Sequence, residues 1–202
     1  KTVDNTVTEY QWAGDLLLSE KTDGRIIWYC YDSQANLIFV TIRGITYFYV
    51  RNVQGDIIAL VDADGKVVVK YTSDSWGKVI AVTGELADTV GVQNPFRYKG
   101  YYYDNETGMY YLKSRYYDAE IKRFICADVG ITSIIKDTKG NNLFCYCFNN
   151  PLNMKDMSVN WPKWIRNFGK TVKNKSAVKH IASVSKTVIL KGKKAFTAFT
   201  RI

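Results

Sequence analysis

The sequence has a single histidine, His180, four cysteines among 202 residues, and no Asp or Glu after Asp156. Each shortage removes a class of chemistry. His180 stands in a stretch without carboxylates, which excludes a histidine-based triad or metal site there. Cys30, Cys126, Cys145 and Cys147 are too few to frame a chain of this length with disulfides. Cys145 and Cys147, two apart, also miss zinc-site spacing, and all four are expected to be small buried hydrophobes. Neither a Gly-rich phosphate loop nor a spaced-carboxylate calcium loop occurs, so no cofactor or metal is expected. No uncharged apolar run approaches the ~20 residues that cross a bilayer as a helix. The opening KTVDNTVTEY lacks the basic, apolar and small-residue succession of a secretory signal. These absences leave two expectations: a soluble protein, or the carboxyl end of a longer chain whose export signal lies upstream.

Charge is unevenly placed. Eleven of the 28 basic residues lie after Trp161, leaving 17 against 19 acidic ones before it. A near-neutral body therefore carries a basic tail, although the formal net charge of the whole is +9.

From Thr8 to Val82 short strands rich in aromatic and β-branched residues alternate with polar breaks, the spacing of an all-β chain. The predicted turns are Thr22 to Arg25, Asp32 to Asn36, Val53 to Asp56 and Ala63 to Lys66. Asp64-Gly65 is the strongest of them, because Asp-Gly suits the positive φ values of a two-residue hairpin turn. WYCYDSQANLIFV, YFYVRNVQGDIIALVDADGK and VVVKYTSDSWGKVIAV each join strand, turn and strand. Such hairpins cannot bury their faces alone and imply neighbours stacked alongside. Thr83 to Gly91 breaks the pattern as a helical turn or loop. Leu143 to Phe148 reads as one more short strand, ended by Asn149-Asn150-Pro151. The domains expected are hairpins over 1–94, a core over 95–160 and a basic segment over 161–202.

Residues 95–128, PFRYKGYYYDNETGMYYLKSRYYDAEIKRFICAD, organise the rest. Tyr101, Tyr102, Tyr103, Tyr110, Tyr111, Tyr116 and Tyr117 fall in short runs suited to a half-buried pleated surface. Asp104 to Gly108 between them is turn chemistry. Consecutive tyrosines point to opposite faces, so one ring of each pair packs inward.

This string resembles the core signature of the rearrangement-hotspot (Rhs) or tyrosine-aspartate (YD) repeat family, as does GNNLFCYCFNNPLN near the end. The likeness is strong from Ile45 to Asp156 and weaker from Thr8 to Gly44. It implies an all-β meander at the end of a hollow β-shell, with upstream YD repeats of the same polypeptide, export to the cell surface or beyond, and a passenger, often a toxin, with an immunity protein as partner.

Members of this family often cut themselves after the core with two aspartates and an arginine. Carried over by motif, the arginine of SRYYD is Arg115, the aspartate of RFICAD is Asp128 and the aspartate after NNPLN is Asp156; Arg123 is a second candidate partner. Two close carboxylates can share a proton, one acting as base toward water and the other as acid toward the carbonyl. An arginine can hold a carboxylate bidentately. The family's Asp-Pro-x-Gly is here Asp156-Met157-Ser158-Val159, without the residues of a tight turn. Two readings stand: an autoprotease cutting near Val159 to Trp161, and turn or capping aspartates in a copy that does not cut.

After Asn160 the pattern turns helical. Trp161, Trp164, Ile165, Phe168 and Val172 recur at helical spacing, with Pro162 as a first-turn residue. Aromatics on one face and Lys/Arg on the other suit an anionic membrane, and the charge alone suits nucleic acid. The remaining expectation is the start of a longer or degenerate passenger.

Overall fold

A computed structural model describes residues 1–127 and 142–154. Within them the chain is an antiparallel β protein, as the strand and turn spacing predicts. Its thirteen strands are β1 (Thr2–Val3), β2 (Thr6–Ala13), β3 (Leu16–Thr22), β4 (Arg25–Tyr31), β5 (Leu37–Ile42), β6 (Ile45–Arg51), β7 (Ile57–Val61), β8 (Val67–Ser73), β9 (Val79–Thr83), β10 (Tyr102–Asp104), β11 (Met109–Leu112), β12 (Arg115–Asp118) and β13 (Arg123–Phe124). One sheet takes β1 to β9 and a second takes β10 to β13, each in chain order. The described residues divide into two compact units. One is Lys1–Val50 with Ala59–Val68, and the other is Arg51–Ile58 with the chain from Val69 onward.

In the first unit the core lies on Leu17, Tyr29, Phe39, Val40, Ile42 and Tyr47. Strand β5 is buried on both faces over most of its length, including Thr41, whose hydroxyl lies 3.1 Å from that of Thr46 across the hairpin. Burying that hydroxyl without a partner would cost on the order of 1–3 kcal/mol. Two turn designs alternate with the strands. Asp4-Asn5, Asp23-Gly24 and Arg43-Gly44 have φ positive at both residues, the two-residue hairpin form that follows strand twist.

The other design is longer and repeats through the chain. Asp32 Oδ1 accepts the N–H groups of Gln34 and Asn36, both at 2.8 Å. Asp62 Oδ1 does the same for Asp64 and Lys66 at 3.0 and 2.9 Å. The backbone closes each loop, with Asp32 N–H donating to Asn36 O and Asp62 N–H to Lys66 O. Asp64-Gly65 is thus not the two-residue turn expected of it. Only Gly65 has positive φ, because the Asp62 carboxylate captures two amides and widens the loop. Arg43-Gly44, which carries no such acidic residue before it, takes the tight form instead.

The second unit contains the same long turn twice. Asn52 Oδ1 accepts from Gln54 and Asp56 N–H at 3.0 and 2.9 Å, and Asp74 Oδ1 from Trp76 and Lys78 N–H at 2.8 and 2.9 Å. Between β9 and the signature the chain makes a π-helical turn, Ala87–Gly91, as one of the two readings of that break predicts. The core here is Tyr98, Tyr101, Tyr110, Leu112, Tyr117, Ala119, Phe124, Tyr146 and Cys147.

Two expectations fail in this unit. Leu143 to Phe148 is not a strand: Cys145 makes a single bridge to Arg123, and Cys147–Asn149 is a short 3-10 turn. Cys147, Phe148 and Asn149 all have positive φ (48°, 50° and 62°), a left-handed run that cannot join a ladder. Cys145 and Cys147 therefore do not share a strand face. All four cysteines are free, but burial holds only for Cys30 and Cys147; Cys145 is intermediate and Cys126 exposed.

Candidate functional site

Tyr103, Tyr110, Tyr117 and Phe124 stand opposite one another on successive strands of the small sheet, each pair in direct register. Their seven-residue spacing is what a four-residue strand and a short turn produce in a meander. Tyr110, Tyr117 and Phe124 are buried, while Tyr111 and Tyr116 occupy the other face at half burial, 5.3 Å apart between ring centroids. The alternation read from the paired tyrosines is borne out.

The buried rings reach past the sheet to one turn. Tyr98 Oη donates to Ser75 O at 3.0 Å, Tyr117 Oη to Trp76 O at 2.8 Å and Tyr110 Oη to Gly77 O at 2.8 Å. Three successive carbonyls of the Asp74 turn are thereby capped. Gly77 (φ 90°) lies against the Tyr98 ring so closely that a Cβ there would meet its Cδ1 at 2.5 Å. Lys78 Nζ pairs with Glu120 at 2.8 Å on the surface beside them. Burial pushes the phenols of Tyr98, Tyr110 and Tyr117 up from their ordinary value, so they are neutral donors at physiological pH. Tyr71 rises to about 12 through burial, partly offset by the Asn94 hydrogen bond and by Arg97.

Three cations of the signature, Arg97, Lys99 and Arg115, are buried with the rings. Arg97 donates from Nη2 to Asn105 Oδ1 at 3.0 Å and stacks 4.3 Å from the Tyr103 ring centre. Lys99 donates its backbone N–H to Asp56 Oδ1 at 2.9 Å, and its Nζ to Pro151 O at 2.6 Å and Met154 O at 2.7 Å. Tyr146, fully buried, brings the same segment in from the other side, its ring 4.1 Å from that of Tyr117. Gln54 Nε2 adds a 3.4 Å bond to Leu152 O. The small sheet and the Tyr98–Gly100 turn just before it therefore hold the turn at Asp56, the turn at Asp74 and the segment 142–154.

Arg115 opens β12, is 7% exposed, and lies with its guanidinium carbon 3.5 Å from the centre of the Phe124 ring. This packing places it beside the strand whose chain continues to Asp128. Arg123 is exposed on that strand. Asp128 and Asp156 lie outside the described residues, as does the helix expected after Asn160. Phe124, four residues before Asp128, packs against Tyr146, and Met154 O, two residues before Asp156, accepts from Lys99 Nζ. Among the described residues no group of His, Cys, Asp and Glu could hold a metal ion, and no helix is long and apolar enough to cross a membrane.

Sequence reasoning missed Lys99, Asp56 and the grip on the Asp74 turn. A lysine between Tyr98 and Gly100 reads as exposed by default. The one available signal was its place inside the signature string.

Two antiparallel sheets in simple chain order make the described residues an all-β meander of hairpins. The chain belongs to the Rhs/YD-repeat family: the model of the teneurin YD-shell matches residues 18–153. It is 36% identical over 173 residues to the tRNA3(Ser)-specific nuclease WapA of Bacillus spizizenii, a match covering 84% of this chain and 7% of that protein. With the tRNA(Glu)-specific nuclease WapA of Bacillus subtilis subsp. natto it shares 37% over 173 residues, at the same coverage of each. The chain thus spans less than a tenth of these relatives' length. The crystal structure of TcdB2-TccC3 without its hypervariable C-terminal region has the same fold at 18% identity, with a TM-score of 0.60 over 77% of this chain and 8% of that one.

Proposed function

We propose that this chain is the carboxyl-terminal end of a secreted or surface shell that encloses and delivers a toxic passenger in competition between cells. The observation that carries this reading is where the side-chain chemistry points. Three tyrosine hydroxyls and the Lys99 ammonium are spent on backbone carbonyls of their own unit. That is the work of a scaffold. The relatives support it from another direction, since two nucleases of different named specificity resemble this same stretch over equal lengths. Specificity then belongs to residues outside that stretch. The test is an exchange of residues 161–202 for a different passenger in the protein that carries this chain. Growth inhibition should follow the passenger while the near-ultraviolet spectrum of the body stays fixed. Inhibition that stays with residues 1–160 overturns the scaffold reading.

The basic segment suits an anionic partner, membrane or nucleic acid. Membrane binding driven by charge appears as flotation with anionic but not zwitterionic liposomes, lost as salt shortens the screening length to ~8 Å and below. Equal flotation with both lipids, or with neither, removes that partner.

A second reading is an aspartic self-cleavage that turns over once, favoured by the anchoring of the chain just before each aspartate. Asp128 and Asp156 share one proton. The ionised carboxylate takes a proton from water, whose oxygen attacks the carbonyl carbon near Val159 to Trp161, while the protonated one gives its proton to the carbonyl oxygen; the C–N bond then breaks as the carboxyl that took up the water proton passes it to the departing nitrogen. Arg115 orients the first carboxylate. The intact mass should fall by the weight of the tail in the wild type and stay whole in Asp128→Asn and Asp156→Asn. A wild type that stays uncut within its full upstream shell ends this reading and leaves the scaffold.

A further inference from the structure

Lys99 combines three features that nothing in a meander requires. Its backbone is left-handed (φ 49°, ψ 22°), where a β-carbon is crowded and glycine or asparagine would fit better. The residue is 6% exposed although it carries a charge that prefers water. Its ammonium reaches two carbonyls three residues apart, Pro151 O and Met154 O, and lies 5.3 and 5.7 Å from the ring centres of Tyr98 and Tyr146. Backbone strain in a buried residue persists where the surroundings over-determine it.

The segment it holds is itself strained. Cys147, Phe148 and Asn149 run left-handed in succession, and backbone bonds of one turn span them: Asn149 N–H to Tyr146 O and Asn150 N–H to Cys147 O, each at 2.9 Å. Hydrogen bonds from an ammonium are stronger than those between neutral groups. Of the two that Lys99 makes, one falls at Pro151, two residues after the strained turn, and the other at Met154, two residues before Asp156.

We infer that Lys99 is the positioning residue for the departure of the chain: its ammonium holds Pro151 O and Met154 O, fixes the left-handed turn at 147–149, and so sets where the junction beyond Met154 is presented. Its bearing on cutting rests on the self-cleavage reading; its hold on the segment does not. Lys99 itself touches no reacting atom.

Hydrogen exchange on the full chain tests it, in an Asp128→Asn/Asp156→Asn background that keeps the chain whole. Lys99→Met keeps length and loses charge; amides from Asn149 to Met154 should then exchange at least tenfold faster while those of β11 and β12 keep their rates. At least one donor-keeping variant, Lys99→Arg or Lys99→Gln, should restore part of the protection. Unchanged exchange in Lys99→Met overturns the inference, as does a rise in β11 and β12 in step with the segment, which would make Lys99 a general stabiliser. In the cleavable chain the same Met variant should slow cutting at least tenfold. A chain that is never cut, with the exchange result standing, defeats the cleavage reading alone.

Discussion

The long turns of the first unit are closed from within, each by an aspartate that binds amides two and four residues ahead. The small sheet β10 to β13 is held the opposite way. The Tyr110 and Tyr117 hydroxyls cap carbonyls 33 and 41 residues distant, and in the turn just before the sheet Tyr98 reaches 23 residues back and Lys99 52 and 55 residues on. Local closure lets a hairpin be copied any number of times, because no copy depends on a distant one. Non-local closure ties a sheet to particular distant partners and is not copied along with a hairpin. The difference separates turns that a repeat can carry with it from contacts that belong to one place in the chain.

Alkali should loosen both units, since burial raises Tyr31 and Tyr47 in the first, and the second more, because more such phenols lie there. Tyr71, Tyr98, Tyr110, Tyr117 and Tyr146 are all raised above the ordinary value of 10.0 by burial. Their neutral forms are favoured by folding, so the stabilisation is whole below about pH 10. It falls as pH rises past that point, because the unfolded chain then holds fewer protons than the native one. The loss continues through about 12, where Tyr71 titrates, and beyond. Phenolate absorbance and near-ultraviolet dichroism should change together and cooperatively; gradual ionisation without loss of structure would contradict the burial.

Removing one ring should come next. Tyr117→Ala empties a site bounded by Tyr110, Phe124 and Tyr146 and orphans Trp76 O, for a loss of about 3–5 kcal/mol in urea unfolding. Gly77→Ala attacks the same grip from the turn: the clash with Tyr98 and the positive φ together should cost roughly 2–4 kcal/mol. Asp62→Asn is the contrasting case. Asn52 already performs the Asp62 role with an amide oxygen, so the exchange should stay within ~0.5 kcal/mol. A large loss there would show that the carboxylate charge, not the acceptor, closes these turns.

Legibility in the sequence follows the same division. Turns such as Asp23-Gly24 and Asp32 to Asn36 were readable because the residues that close them are adjacent. Asp64-Gly65 misled because two local rules competed, the dipeptide preference and the capture of amides by Asp62, and only the second had the geometry. The inward tyrosines were readable from alternation, but their targets at 75–77 were not, since nothing in a string marks a contact between distant residues. Leu143 to Phe148 shows apolar strand composition, yet burial of Tyr146 against Tyr117 and capture of the following carbonyls by Lys99 impose a left-handed turn. Arg115 was named from its motif and lies buried against Phe124, while its proposed partners Asp128 and Asp156 stand outside the described residues.

Native-state hydrogen exchange across a denaturant series bears most directly on whether the signature ties off the chain. Amides at 76–78, in β11 and β12, and at 149–154 should merge into one opening reaction with a single free energy, whereas those of the Asp32 and Asp62 turns should open separately and locally. If the amides at 149–154 open on their own while β11 and β12 stay protected, the signature does not hold the departing chain.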